Sequence, residues 1–123
     1  MVALYFSAEW CPSCLDFTPK LKKFYEEGVN SGLEIVFISI DKSAKKQEAY
    51  LKEYHGNWLY IPYGDASIET LKKNYNTRHC IPFLVLLQND GSPTMAIENF
   101  VDDVEMDHLT MKEILKKWAD KIV

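Results

Sequence analysis

Cysteine is scarce in this sequence, and what there is lies unevenly. Three cysteines stand among 123 residues, and only Cys11 and Cys14 are close together. A small, odd count does not suit a disulfide-stapled secreted scaffold; reduced and reactive thiols fit better. Basic charge is not in excess either. Fourteen Lys and Arg face eighteen Asp and Glu, a formal charge of -4, so no electrostatic footprint for nucleic acid exists. Lys20, Lys22 and Lys23 read as the solvated face of a helix. No apolar run approaches a membrane span, and the first ten residues lack the basic start and apolar stretch of a signal peptide. Repeats, low-complexity tracts and linkers are missing too. These absences predict one soluble domain over residues 1–123, cytoplasmic, with neither nucleic acid nor membrane as partner and no basic cluster for nuclear import.

What is present suits a packed globule: 47% of residues are hydrophobic and 13% aromatic, as a single core requires. Val2-Ala3-Leu4-Tyr5-Phe6 is continuously apolar, as in a strand buried on both faces. A helix from about Cys11 follows, with Phe17, Leu21, Phe24 and Tyr25 on one face and Pro19 inside it as a kink. Glu34–Ile40 predicts a second strand, parallel to the first by a right-handed crossover. Asp41 and Ser43 are candidate caps of a second helix that runs to about His55 and stops at Gly56. Trp58–Tyr63 reads as an apolar, extended connector. A short helix carries Ile68, Leu71 and Tyr75, and Phe83–Leu87 is a third buried strand. Asn89-Asp90-Gly91 offers a turn toward an antiparallel partner at Thr94–Glu98, and Asn99–His108 an acidic loop. Thr110 and Glu113 form a capping box, with Leu109 stapled onto Ile114, for a last helix burying Met111, Ile114, Leu115, Trp118 and Ile122. The order β-α-β-α-α-β-β-α predicts an α/β domain with a mixed sheet and helices on both faces.

The chemistry centres on Trp10-Cys11-Pro12-Ser13-Cys14. Two thiols separated by two residues can close a small disulfide and open it again. At a helix start, exposed N–H groups and the positive end of the dipole favour a thiolate on the first of them. The thiolate is the attacking species in disulfide exchange. A lone Cys-x-x-Cys is also half of a zinc site. Its other ligands would have to come from Cys80, His55, His79 and His108, and the adjacent pair His79-Cys80 lacks the usual ligand spacing. The strand leading directly into the motif favours redox chemistry. Ile81-Pro82 opens the third strand, where a proline without an N–H is tolerated. A cis bond there would turn the Ile81 backbone toward an extended substrate, as in strand addition.

Five stretches carry a family resemblance. They are Val2-Ala3-Leu4-Tyr5-Phe6-Ser7-Ala8-Glu9-Trp10-Cys11-Pro12-Ser13-Cys14 with Phe17-Thr18-Pro19-Lys20-Leu21, then Glu34–Asp41 with Trp58–Asp65, and finally Ile81-Pro82. Over residues 2 to 92 the chain resembles thioredoxin-fold proteins, and within them the tryparedoxin and nucleoredoxin group. The resemblance implies a thioredoxin fold with a central mixed sheet of about four strands. It implies a dithiol–disulfide oxidoreductase that reduces protein disulfides, peroxidases among them. Cys11 would be the nucleophile and Cys14 the resolving thiol. Pro82 would be the cis-proline, Ile81 the docking backbone, and Trp10 and Pro12 the rim against which substrate lies. Electrons would come from a reductase or a low-molecular-weight dithiol, no bound cofactor or metal is implied, and the protein would be a monomer or weak dimer. A domain that holds clients at the cis-proline groove without turnover is the alternative.

Three departures from the family pattern carry expectations of their own. Tyr5 stands where ordinary thioredoxins place a buried Asp beneath the resolving thiol, which leaves water, Glu9 or Asp41 to take the Cys14 proton, with neither carboxylate essential. Ser13 replaces a second proline and implies a less strongly reducing dithiol. The group's extra strand structure ahead of Tyr5 is not matched, so Ile35-Val36-Phe37-Ile38 is expected as an exposed apolar edge. Trp58 is expected in the core, Cys80 as an inert or regulatory thiol, and His79 as an ordinary loop residue.

Overall fold

The fold is taken from a computed structural model that describes residues 2–28, 32–54, 56–75, 81–88, 90 and 111–121. Strand β1 (Val2–Ser7) leads into helix α1 (Pro12–Gly28), and β2 (Glu34–Ser39) into α2 (Ala44–Tyr54). Then come β3 (Leu59–Tyr60), α3 (Ser67–Tyr75), β4 (Phe83–Leu86) and α4 (Met111–Lys121). The sheet order is β3-β2-β1-β4. β1 lies parallel to β2, with Leu4 opposite Val36, and antiparallel to β4, with Leu4 opposite Val85.

Alternation along the three long strands divides the core in two. Ala3, Tyr5, Ile35, Phe37, Leu84 and Leu86 point to one face, where they meet Phe17, Leu21, Phe24 and Tyr25 of α1, Tyr50 of α2 and Ile114 and Trp118 of α4. Leu4, Phe6, Ile38, Phe83 and Val85 point to the other, under Ile68, Leu71 and Tyr75 of α3. A strand with both faces covered must be apolar at every position, which explains the unbroken run in β1. Trp58 is buried on the first face, its ring set edge-on to Tyr5 and Tyr25 with centroids 6.4 and 5.6 Å away. Gly56 makes room for it, since a Cβ there would stand 2.3 Å from the indole.

The four-strand mixed sheet with flanking helices is the expected fold, with one element unforeseen. Leu59 and Tyr60 are not a connector but a strand, pairing parallel with Val36 and Phe37. The Ile61 N–H extends the ladder to the Phe37 carbonyl. This corrects the expected exposed edge: β3 takes the outer position, and Ile35, Phe37 and Ile38 are buried. Pro62 cuts the strand short, because it brings no N–H. Nearer the start of β2, the Ile35 N–H is taken by the Glu34 carboxylate at 2.9 Å.

A second correction concerns the start of α2. Ser43 caps it by accepting the Lys46 N–H at 3.2 Å, while Asp41 is turned to another use described below. α1 runs through Pro19 as a single helix, with that residue on its exposed side. Of the expected turn at 89–91 only Asp90 is among the described residues; the strand at 94–98, acidic loop at 99–108 and N-cap at Thr110 lie outside them, as do Cys80, His79, His55 and His108.

Candidate active site

The β1–α1 junction carries the paired cysteines. Ala8 ends the apolar run, its carbonyl accepts the Cys11 N–H at 3.3 Å, and the Cys11 carbonyl accepts the N–H groups of Cys14 and Leu15 at 3.0 and 3.1 Å. Cys11 is therefore the residue on which α1 begins, followed by Pro12 at the first helical position, where a missing N–H costs nothing. The Cys14 N–H points at the Cys11 sulfur, 3.2 Å away. That is the geometry in which a helix start supplies a donor to a sulfur carrying negative charge.

The two thiols differ in access. Cys11 is 6% exposed and Cys14 fully buried. Burial, reinforced by the hydrogen bond with Cys11, pushes the Cys14 thiol up to about 12, against pulls from the Ser7 hydroxyl and the Ala8 backbone. The folded protein thus holds this proton where the unfolded chain, with an ordinary value of 9.0, releases it. The stability this contributes is fully present below pH 9 and is lost as pH rises toward about 12. In reducing buffer the urea midpoint is expected to fall as soon as pH passes 9.0. Cys14→Ala should flatten that fall below pH 10.0, the ordinary value of tyrosine. A slope unchanged by the substitution would trace the loss to another group.

The sequence-predicted docking residues come together here. Ile81-Pro82 is a cis peptide bond, and the Ile81 carbonyl lies 4.0 Å from the Cys11 sulfur across the chain. Trp10 is 45% exposed at the rim, beside an exposed Pro12. Its indole N–H donates to the Ile40 carbonyl at 3.1 Å, and the Lys42 ammonium sits 5.5 Å from its ring centre. Asp41 holds the same loop from beneath. Its carboxylate accepts the Glu9 N–H at 2.7 Å and the Ser39 hydroxyl at 2.6 Å. Glu9 in turn meets Lys46 at 3.6 Å. Both carboxylates weighed as acceptors for the Cys14 proton are thus engaged in holding the loop.

Sequence reasoning missed a cluster of four buried hydroxyls beneath Cys14. The Tyr5 and Thr18 hydroxyls stand 2.7 Å apart, Thr18 and Tyr50 2.5 Å, and Tyr50 and Ser7 2.8 Å. Thr18 also donates to the Cys14 carbonyl at 2.7 Å. Two signals were available: Tyr5 and Ser7 share a face of β1, and Thr18 lies one helical turn after Cys14. Tyr50 gave none, being far away in sequence. Among the described residues no group of three His, Cys, Asp or Glu side chains is placed to hold a metal.

Comparison with known proteins now decides the family. The profile of the family described as "Thioredoxin-like" matches residues 1–93. This chain belongs to the thioredoxin-like family. Probable nucleoredoxin 1 of Arabidopsis thaliana is 36% identical over 97% of this chain, which spans 22% of that relative. Tryparedoxin of Trypanosoma brucei brucei is 39% identical over 72% of this chain and 61% of its own length. The chain thus spans about a fifth of the nucleoredoxins it matches and under two thirds of that tryparedoxin. Among solved structures, a thioredoxin from Wuchereria bancrofti superposes with a TM-score of 0.77 at 42% identity, covering 97% of this chain and 79% of that one. Tryparedoxin II from C. fasciculata does so with 0.74 at 32%, covering 86% and 69%. As a thioredoxin-like domain with nucleoredoxin and tryparedoxin relatives, the protein has its support for redox oxidoreductase chemistry from kinship as well as geometry.

Proposed function

We propose that this domain reduces protein disulfides by dithiol–disulfide exchange through Cys11 and Cys14. The observation that carries the reading is the Cys11 sulfur, held between the Cys14 N–H at 3.2 Å and the Ile81 carbonyl at 4.0 Å. Cys11 thiolate attacks one sulfur of a client disulfide. A Cys11–client disulfide forms, and the client's other sulfur leaves as a thiolate that takes up a proton. Cys14 thiolate then attacks the Cys11 sulfur, the protein closes its own disulfide, and the client's second thiolate departs and is protonated. Two electrons pass from protein to client. A client segment lying extended against Ile81, with Trp10 and Pro12 as its apolar border, would present its sulfur to Cys11.

The oxidised protein must be reduced again. The related tryparedoxin II has been solved in complex with glutathionylspermidine, and a low-molecular-weight thiol or a reductase would serve this chain. A reducing, cytoplasmic setting keeps both thiols in the state from which the cycle starts.

Trapping tests the reading. In a Cys80→Ala background, Cys14→Ser removes the resolving thiol, so client proteins should accumulate on Cys11 as mixed disulfides released by dithiothreitol. The same capture by a variant that also carries Cys11→Ser would sink the assignment, since no attacking sulfur would remain in the motif.

A further inference from the structure

The four hydroxyls beneath Cys14 share a hydrogen supply that can be counted. A hydroxyl carries one hydrogen and two acceptor sites. Thr18 spends its hydrogen on the Cys14 carbonyl, so Tyr5 and Tyr50 must both donate to Thr18. With the Tyr50 hydrogen spent, the 2.8 Å contact between Ser7 and Tyr50 requires Ser7 to donate to Tyr50. The Ser7 oxygen is then left free to accept from the Cys14 thiol, whereas toward a Cys14 thiolate the same hydroxyl acts as a donor and lowers its pKa. In this arrangement the string runs from the Cys14 S–H through Ser7, Tyr50 and Thr18 back to the Cys14 carbonyl.

The same oxygens satisfy a second arrangement. If Thr18 turns its hydrogen to Tyr50, Tyr50 turns to Ser7 and Ser7 to the Cys14 sulfur, each contact among the four hydroxyls keeps one hydrogen, while the contact of Thr18 with the Cys14 carbonyl gives its hydrogen up. Tyr5 goes on donating to Thr18, and the Cys14 carbonyl keeps its helical bond. Three O–H bonds rotate, and Thr18 Oγ1 draws back from the Cys14 carbonyl, because two oxygens 2.7 Å apart with no hydrogen between them repel. All four hydroxyl residues are buried, Tyr5, Ser7 and Thr18 fully. The chain is thus sealed from the water that would otherwise solvate a thiolate, and linked hydroxyls in such surroundings strengthen one another.

We infer that Tyr5, Thr18, Tyr50 and Ser7 form a reversible hydrogen-bond chain that turns a donor onto the Cys14 sulfur when that sulfur becomes the resolving thiolate. The inference rests on the dithiol reading above and supplies the support that a buried Asp would give to an ordinary thioredoxin. The chain does not itself take the proton, because burial holds both Tyr5 and Tyr50 as neutral phenols. The Cys14 proton passes instead to the thiolate leaving the client in the first step. Among titratable groups, Cys11 at the start of α1 raises the Cys14 thiol, and Cys14 in turn raises Tyr5 of β1 and Tyr50 of α2. Asp41 and Glu9 are held by their own partners in the loop.

The test uses 5,5'-dithiobis(2-nitrobenzoate) as the disulfide, followed by stopped flow in the Cys80→Ala background. Cys11 attack releases one thionitrobenzoate, and resolution by Cys14 releases the second, so each step has its own phase. A hydrogen bond to a charged group shifts acidity by about one to two units. Each unit makes the thiolate tenfold rarer but intrinsically about threefold more nucleophilic. Ser7→Ala should therefore slow the second phase by about threefold to tenfold and leave the first phase and its pH profile unchanged. Tyr50→Phe, which removes the donor behind Ser7, should slow the second phase in the same sense but less, and it serves as the probe should Ser7→Ala fold poorly. Second phases within experimental error of the parent in both variants, or both phases slowed alike, would overturn the inference. Release of only one equivalent by the parent would instead refute the dithiol reading beneath it.

Discussion

Insulin reduction by this domain is expected to vanish with Cys11→Ser, down to the rate that dithiothreitol gives alone. The serine oxygen cannot take the place of a thiolate, because exchange requires a sulfur nucleophile that is ionised near neutral pH. Nor can Cys14 take over. It is fully buried where Cys11 is 6% exposed, and burial holds its proton up to about 12. Of the two cysteines of the motif, a client disulfide would therefore meet Cys11 alone. The asymmetry also says what Cys14→Ser should do in the same assay: a first attack without release by the protein itself, so that each turnover waits on dithiothreitol to free the client from Cys11 and the rate falls below that of the parent. The measurement is turbidity from the precipitating insulin B chain, compared among parent, Cys11→Ser and dithiothreitol alone. A Cys11→Ser protein that still outpaced dithiothreitol would move the chemistry to another thiol.

The second large effect is structural. Trp118→Ala is expected to lower folding stability by about 3–5 kcal/mol, the cost of truncating a fully buried indole. Trp118 is 0% exposed and lies with its ring 5.2 Å from that of Phe24 in α1, and Ile114 one turn earlier is also buried. Its helix, α4, falls beyond residues 1–93, where the family match ends, yet it supplies two side chains to the core that carries the cysteine helix. For a domain of this size such a loss lowers the melting temperature by about 10 °C or more. Guanidinium titration of the reduced protein checks it, and a loss below about 1 kcal/mol would mean that α4 contributes little to the core.

Much of this was legible in the chain. β1, β2 and β4 announce themselves as continuous apolar runs because both sheet faces are covered, and a strand of that kind has no polar side to confuse the pattern. The Cys-x-x-Cys motif and Ile81-Pro82 are local signatures, so their roles could be written down before their proximity was seen. β3 was harder. Two strand residues, Leu59 and Tyr60, are too few for a periodicity, and only the Val36 and Phe37 ladder makes them a strand. The hydroxyl cluster was half visible. Tyr5 could be seen to replace an acid, but what it touches depends on Tyr50, thirty-two residues from Thr18 in sequence and 2.5 Å away in space. Asp41 was misread for a related reason: a carboxylate near a helix start resembles a cap until its partner, the Glu9 N–H, is known.

The brevity of β3 bears on how this protein behaves when crowded. Ile35-Val36-Phe37-Ile38 is an uncharged, strongly β-forming segment of the sort that copies itself from molecule to molecule when several of its backbone groups stand open in register. On the outer side of the sheet that template is taken up twice over. Leu59 and Tyr60 occupy the positions beside Val36 and Phe37, and the Glu34 carboxylate closes on the Ile35 N–H ahead of them. What β3 offers a neighbour in turn is two residues long, with a proline two residues after it. A second molecule finds too little backbone at β3 to begin a fibre, so on this side of the sheet the apolar run of β2 is kept from being copied.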